Sequence, residues 1–193
     1  MSRDDDLVAL VGSRICHDLV SPLGAIGNGV ELMTLTGGEE TPELDLVQES
    51  LANARARIRF FRIAFGAAPP EAVVRRAELA EALAAGERRA ALDWPLPDHL
   101  PRMEAKLALL ALACLDAAMP FGGTVRVTTS ECLEITGTAE RLRLDEAAWR
   151  LLDTPHAPAT PDTVQFALLP RAAAAAGRTL GITRDPGRIR MRL

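Results

Sequence analysis

SRICHDLVSPLGAIGNGVELM, from Ser13 to Met33, places apolar residues at Ile15, Leu19, Pro22, Ile26, Val30 and Met33, and steps of three and four mark one face of an amphipathic helix. Val8 and Val11 carry the pattern backwards, so the spacing predicts a helix from about Asp5 to Leu35, with the acids Asp4 to Asp6 suited to its N-terminus. After TGGEE, Thr41 reads as an N-cap and Pro42 as the first helical residue. Leu44, Val47, Leu51, Ala54, Ile58, Phe61 and Phe65 then alternate in the same steps, which is an a/d seam. Gly66 is placed to end this helix and AAPPEA, 67–72, reads as a linker. The first third is therefore a helical hairpin. Its apolar stripe is more than a lone hairpin covers, so pairing of two copies into a four-helix bundle is expected, with packing on the C-terminal half of the same chain as the alternative.

Past the linker the periodicity changes. Glu78 to Ala91 and Met103 to Met119 read as helices, the second strongly apolar and ended by PFGG. Ala91 to Leu96 reads as a short extended piece. Thr124 to Thr129, Cys132 to Thr136 and Arg141 to Leu144 read as strands, Asp145 to Leu152 and Asp162 to Ala176 as helices, and Thr179 to Thr183 and Arg188 to Leu193 as strands around the turn signal DPG. Strands that cluster late among irregularly placed helices predict an α+β chain whose second part is an α/β sandwich with helices on one face of a mixed sheet. The expected organisation is a hairpin domain over 1–68 and a sandwich domain over 73–193.

Composition excludes several classes. The 193 residues are 48% hydrophobic with a formal net charge of −4, enough for a soluble core and without a basic surface for nucleic acid. The stretch MSRDDDLVAL lacks the order of a signal peptide, and no apolar run approaches the roughly 20 residues of a membrane span. A cytoplasmic protein, away from membranes, is the expectation. Cys16, Cys114 and Cys132 are odd in number and have no CxxC spacing, so they read as reduced thiols rather than a disulfide framework or zinc site.

At about 100° per residue, His17 falls roughly 180° from the seam, so it faces outward. Ser13, Arg14, Ser21, Gly24, Asn28 and Glu31 share that outer strip, where small or polar side chains leave room for a large partner. An imidazole, with an ordinary pKa of about 6.5, is a largely neutral nitrogen nucleophile near pH 7. Asp18 lies between outer face and seam, placed to bond one edge of the ring while the other nitrogen attacks. Pro22, five residues after His17, has no N–H for the carbonyl of Asp18, so a bend is expected there. His99 in PDHLP and His156 in TPHAP sit in proline-marked stretches without ligand types nearby.

HDLVSPL resembles the H-box of two-component histidine kinases, in which the phosphorylated His is followed by an acidic residue, a hydroxyl or amide residue and a proline. The longer stretch SRICHDLVSPLGAIGNGVELM resembles the dimeric histidine phosphotransferases of the ChpT type. The resemblance is strong over about thirty residues and rests on the order of elements beyond the hairpin. It implies a second domain related to the kinase ATPase domain, yet the kinase patterns for nucleotide are missing. LALLALACLDAAMPFGG offers no Asn, CLEITGTAERLRLD lacks the acid–glycine pair, and TPHAPATPDTVQF contains no glycine, although close backbone approach to phosphate depends on glycine.

The resemblance thus implies a degenerate ATPase-like domain serving as a docking surface, with no ATP and no stably bound cofactor or metal. It implies a homodimeric phosphotransferase in which His17 accepts a phosphoryl group from the receiver domain of a hybrid histidine kinase and passes it to the receiver of a response regulator, the partner bringing Mg2+. His17 would be the nucleophile, Asp18 the ring-orienting group or base, and Arg14, Ser21, Gly24 and Asn28 docking positions. A non-catalytic adaptor or inhibitor dimer and an atypical kinase core are the competing readings.

Overall fold

The computed structural model describes residues 3–36, 42–84, 89–129, 132–154 and 157–193. Helix α1 runs Arg3–Thr36 and continues through Pro22, and α2 runs Pro42–Ala64. The expected N-cap Thr41 and most of the connecting loop lie outside the described residues. The two helices pack along one another, and Pro22 and Gly29 of α1 and Ser50, Ala54 and Phe61 of α2 are buried. The seam is only half covered. Val8, Leu23 and Val30 on α1 and Leu51 and Ile58 on α2 remain exposed, at 38 to 73%.

The end of α2 belongs to the second half of the molecule. Ile63 and Ala64 enter a core that also holds Val74, Leu79 and α4, Arg102–Ala118. Two cations of α4 cap the end of α2, which leaves its last carbonyls without helical partners. Arg102 donates to the carbonyls of Arg62 (2.7 Å) and Ala67 (2.9 Å), and Lys106 donates to that of Gly66 (2.7 Å). Burial, with the Arg102 guanidinium alongside, lowers the Lys106 ammonium from its ordinary range. Arg59–Glu81 and Arg62–Glu78 ion pairs, both 2.6 Å, join α2 to α3, Arg76–Leu83.

The sandwich has one five-stranded sheet. Its strands are β2 (Ala90–Asp93), β4 (Gly123–Thr128), β5 (Glu134–Thr138), β7 (Arg188–Arg192) and β6 (Gly181–Asp185), in that spatial order. Only β2 and β4 pair in parallel, so the sheet is mixed as expected. A small antiparallel pair, β1 (Val73–Arg75) with β3 (His99–Pro101), stands apart. Alternation along the strands turns Val125, Val127, Ile135, Ile189 and Met191 inward, all at 1% exposure or less. Against them lies α4, whose residues Leu107 to Leu112 are fully buried because α2 and α6, Val164–Ala175, cover its other side. The opposite sheet face is polar, with the ion pairs Arg126–Asp93 (2.7 Å) and Arg192–Glu134 (2.8 Å). A helix α5, Glu146–Arg150, has Asp145 as its N-cap, accepting from the backbone of Ala147 and Ala148.

Several sequence expectations need correction. Arg141–Leu144 alternates like a strand but is not one: the backbone N–H of Arg143 donates to the Ala118 carbonyl (2.9 Å), which ties the segment to the end of α4. The helix expected over 78–91 ends at Leu83. The pair β1 and β3 was not expected, since the prolines of PDHLP read as punctuation while its backbone pairs with Val73–Arg75. The last helix begins at Val164, preceded by a 3-10 turn over Pro161–Thr163.

Two glycines set close approaches. Gly137 lets β5 meet Leu115 of α4 and Met119 just past its end, and Gly123 has φ +144° with the Thr138 carbonyl and the Ala139 side chain where a Cβ would project. Gly123→Ala combines backbone strain with overlap, and should lower stability by about 2–4 kcal/mol. Urea unfolding checks this, and an unchanged midpoint would contradict the packing at that corner.

Candidate functional site

His17 sits on the open side of α1, with its side chain 76% exposed. Asp18, next in sequence, points about 100° around the helix and is only 12% exposed. Its oxygen Oδ1 lies 3.1 Å from His17 Nδ1. An ionised carboxylate only accepts hydrogen bonds, so a hydrogen bond here takes its proton from Nδ1. The arrangement is an exposed imidazole with one ring nitrogen beside a carboxylate.

The other oxygen of Asp18 faces two cations. Arg14 Nε donates to Oδ2 at 2.8 Å, one helical turn earlier on α1, and Arg57 of α2 brings a terminal nitrogen to 3.9 Å from the same atom. Arg14 also reaches the second domain, where a terminal nitrogen donates to the backbone carbonyl of Asp162 (3.1 Å) and stands 3.8 Å from its carboxylate. Gln165, nearly buried, donates to that same carbonyl at 2.9 Å. Two helices therefore meet at the carboxylate beside the histidine, and Arg14 links it to the turn before α6.

The other expected residues share the exposed side. Ser21, Gly24 and Asn28 are all exposed on α1. A Cβ built at Gly24 or Gly27 would meet nothing within 4 Å, so this part of the helix is open to an approaching body. Arg14 begins on the same strip, but its guanidinium turns sideways to Asp18 and Asp162 and is 26% exposed. Arg57, Asp162 and Gln165 were not singled out from sequence. Arg57 is one of four arginines between Arg55 and Arg62, and nothing local marks it; Asp162 contributes chiefly a backbone carbonyl, which has no residue signature.

Beside this cluster a cleft of about 460 Å³ separates the hairpin from the sandwich, lined among others by Arg14, Arg57, Phe60, Arg89, Asp116 and Gln165. Among the described residues, no group of three or more His, Cys, Asp or Glu is placed to hold a metal ion, and no helix is long and apolar enough to cross a membrane. Cys114 is buried, and desolvation followed by the charge of Asp116 raises its thiol well above the ordinary range, while Cys16 is exposed. His99 is exposed on β3, and His156 lies outside the described residues.

Comparison with known proteins finds a family match, a curated relative and similar solved structures. Residues 76–188 match the family described as histidine phosphotransferase C-terminal domain. The protein phosphotransferase ChpT of Brucella abortus (strain 2308) is 40% identical over 126 residues, which are 63% of this chain and 60% of that protein. The chain thus matches under two thirds of that curated relative's length. A solved structure of a bacterial phosphotransferase superposes with a TM-score of 0.73 at 32% identity, covering 97% of this chain and 95% of the other.

The carboxylate of Asp18 is largely out of water between two guanidinium groups, so removing its charge should be felt by the whole chain. Asp18→Asn should reduce unfolding free energy by about 1–3 kcal/mol, the scale of a charged hydrogen bond lost with its partners left in place. Denaturant titration measures it; no loss of stability would mean that the arginines do not depend on this carboxylate.

Proposed function

The chain belongs to the histidine phosphotransferase family, and from that premise we propose that His17 carries a phosphoryl group between receiver domains in a phosphorelay. The observation that carries this reading is the ring itself: exposed, with Nδ1 engaged by Asp18 and Nε2 directed to act. A receiver aspartyl phosphate is the donor. The lone pair of Nε2 forms the new P–N bond as the P–O bond to the receiver breaks, and that electron pair returns to the receiver carboxylate. The imidazole becomes a phosphoimidazolium that keeps its Nδ1 proton, and the Asp18 carboxylate balances its charge. Transfer to the second receiver is the reverse of these events. Positioning and electrostatics are the protein's contribution, as in phosphoryl transfer generally, and Mg2+ arrives with the receiver.

The same reading assigns no ATP-dependent self-labelling. The segment before α6 is a 3-10 turn without glycine, and the face of α4 toward the cleft presents Ala113, Asp116 and Ala117 rather than an amide. These features support a domain that grips partners instead of nucleotide. Incubation with a phosphorylated receiver should put acid-labile label on the wild type and none on His17→Ala, and ATP alone should label neither. Equal labelling of the variant would overturn the assignment to His17; self-labelling from ATP would point to a kinase; full biological activity of His17→Ala would point to an adaptor.

The occupant proposed for the uncovered hairpin strip is a second copy of this chain. Val8, Leu23 and Val30 fall roughly 120 to 180° around α1 from His17, so a four-helix bundle built there leaves the imidazole open. Each of these side chains contributes roughly 1.5–3 kcal/mol when fully buried. Light scattering should give twice the mass of one chain for wild type and a monomer for Leu23→Lys with Val30→Lys; a monomeric wild type would contradict the dimer.

A further inference from the structure

The segment TPDTVQ, Thr160 to Gln165, forms a turn that holds one carbonyl. Thr160 and Thr163 cap each other reciprocally: the Thr160 N–H donates to Thr163 Oγ1 at 2.9 Å, and Pro161 occupies the first position of the turn. Gln165, 3% exposed, donates Nε2 to the Asp162 carbonyl at 2.9 Å. The carbonyl so held is the one that accepts Arg14, whose Nε simultaneously grips Asp18. A continuous chain of hydrogen bonds therefore runs from the start of α6 to the imidazole of His17.

We infer that Arg14 is a positioning residue, a latch through which the sandwich domain sets the tautomer of His17. The guanidinium is planar and forked, so engaging Asp162 with one nitrogen and Asp18 with another fixes both at once. That grip occupies Oδ2 and presents Oδ1 to Nδ1, which keeps the ring proton there and Nε2 unprotonated. Arg57, 3.9 Å from Oδ2, supplies further positive charge to the carboxylate. Without the latch the carboxylate turns about its own bond, and the ring proton is shared between the two nitrogens. The effect on transfer rests on the function proposed above; the effect on the ring does not.

Two substitutions test this in the full chain. Arg14→Lys keeps a cation near Asp18 but has a single head that cannot span both partners. Gln165→Leu leaves every residue of α1 intact and removes the group that holds the Asp162 carbonyl. Nitrogen-15 spectra of the His17 ring in the unphosphorylated protein should show Nδ1 protonated in wild type and a shift toward equal protonation of the two nitrogens in both variants. With a phosphorylated receiver, the saturating transfer rate should fall about tenfold while the half-saturating receiver concentration changes less than twofold. Unchanged ring spectra would overturn the latch, as would a raised half-saturating concentration at an unchanged saturating rate, which would make these residues docking contacts. A wild type that accepts no phosphoryl group would overturn the proposed function alone, with the ring spectra still deciding the latch.

Discussion

The carboxylate of Asp18 is the constraint on which the site depends. It is 12% exposed, so its charge has little water to stabilise it and must be met by protein groups. Arg14 from its own helix and Arg57 from α2 meet it, and Arg14 carries the link onward to Asp162. Arg14 and Arg57 both belong to the hairpin, and it is through Arg14 that the site reaches the sandwich. The histidine takes what remains of the carboxylate, one oxygen on one ring nitrogen. In this way a residue that is mostly in solvent has one ring nitrogen held beside a carboxylate without being buried.

Docking in turn needs a stiff joint between the two parts. The last turn of α2 enters the sandwich core through Ile63 and Ala64, and Arg102 and Lys106 of α4 bind its terminal carbonyls. Burial lowers the Lys106 ammonium, which means that ordering this cation has a cost that its hydrogen bond to Gly66 offsets. The largely buried α4 is the common support, touching α2 on one side and the sheet on the other. Its central residues, Leu107 to Leu112, are apolar for that reason, while Arg102, Glu104, Lys106 and Asp116 lie toward its ends.

Much of this was legible in the sequence. The hairpin followed from the steps of three and four between Val8 and Phe65, and α4 and the strands at Val125 and Ile189 from apolar runs bounded by PFGG and DPG. The outward phase of His17 and the lateral phase of Asp18 followed from helical geometry alone. What escaped was non-local. The strand character of His99–Pro101 depends on a partner at Val73–Arg75, and the loss of strand character at Arg141–Leu144 depends on a single bond to Ala118. Asp162 enters through its backbone carbonyl, which any residue possesses, and Arg57 differs from the arginines around it only in what the fold brings near. Periodicity reports which side of an element is covered; it does not report which far-off group meets it.

The most direct measurement of the central claim is phosphorus-31 NMR of the protein after phosphorylation by a receiver. The contact between Asp18 and Nδ1 predicts a single phosphoramidate resonance, that of Nε2-phosphohistidine, absent in His17→Ala. A resonance from Nδ1-phosphohistidine, or a phosphorylated species with no phosphoramidate signal, would contradict the account.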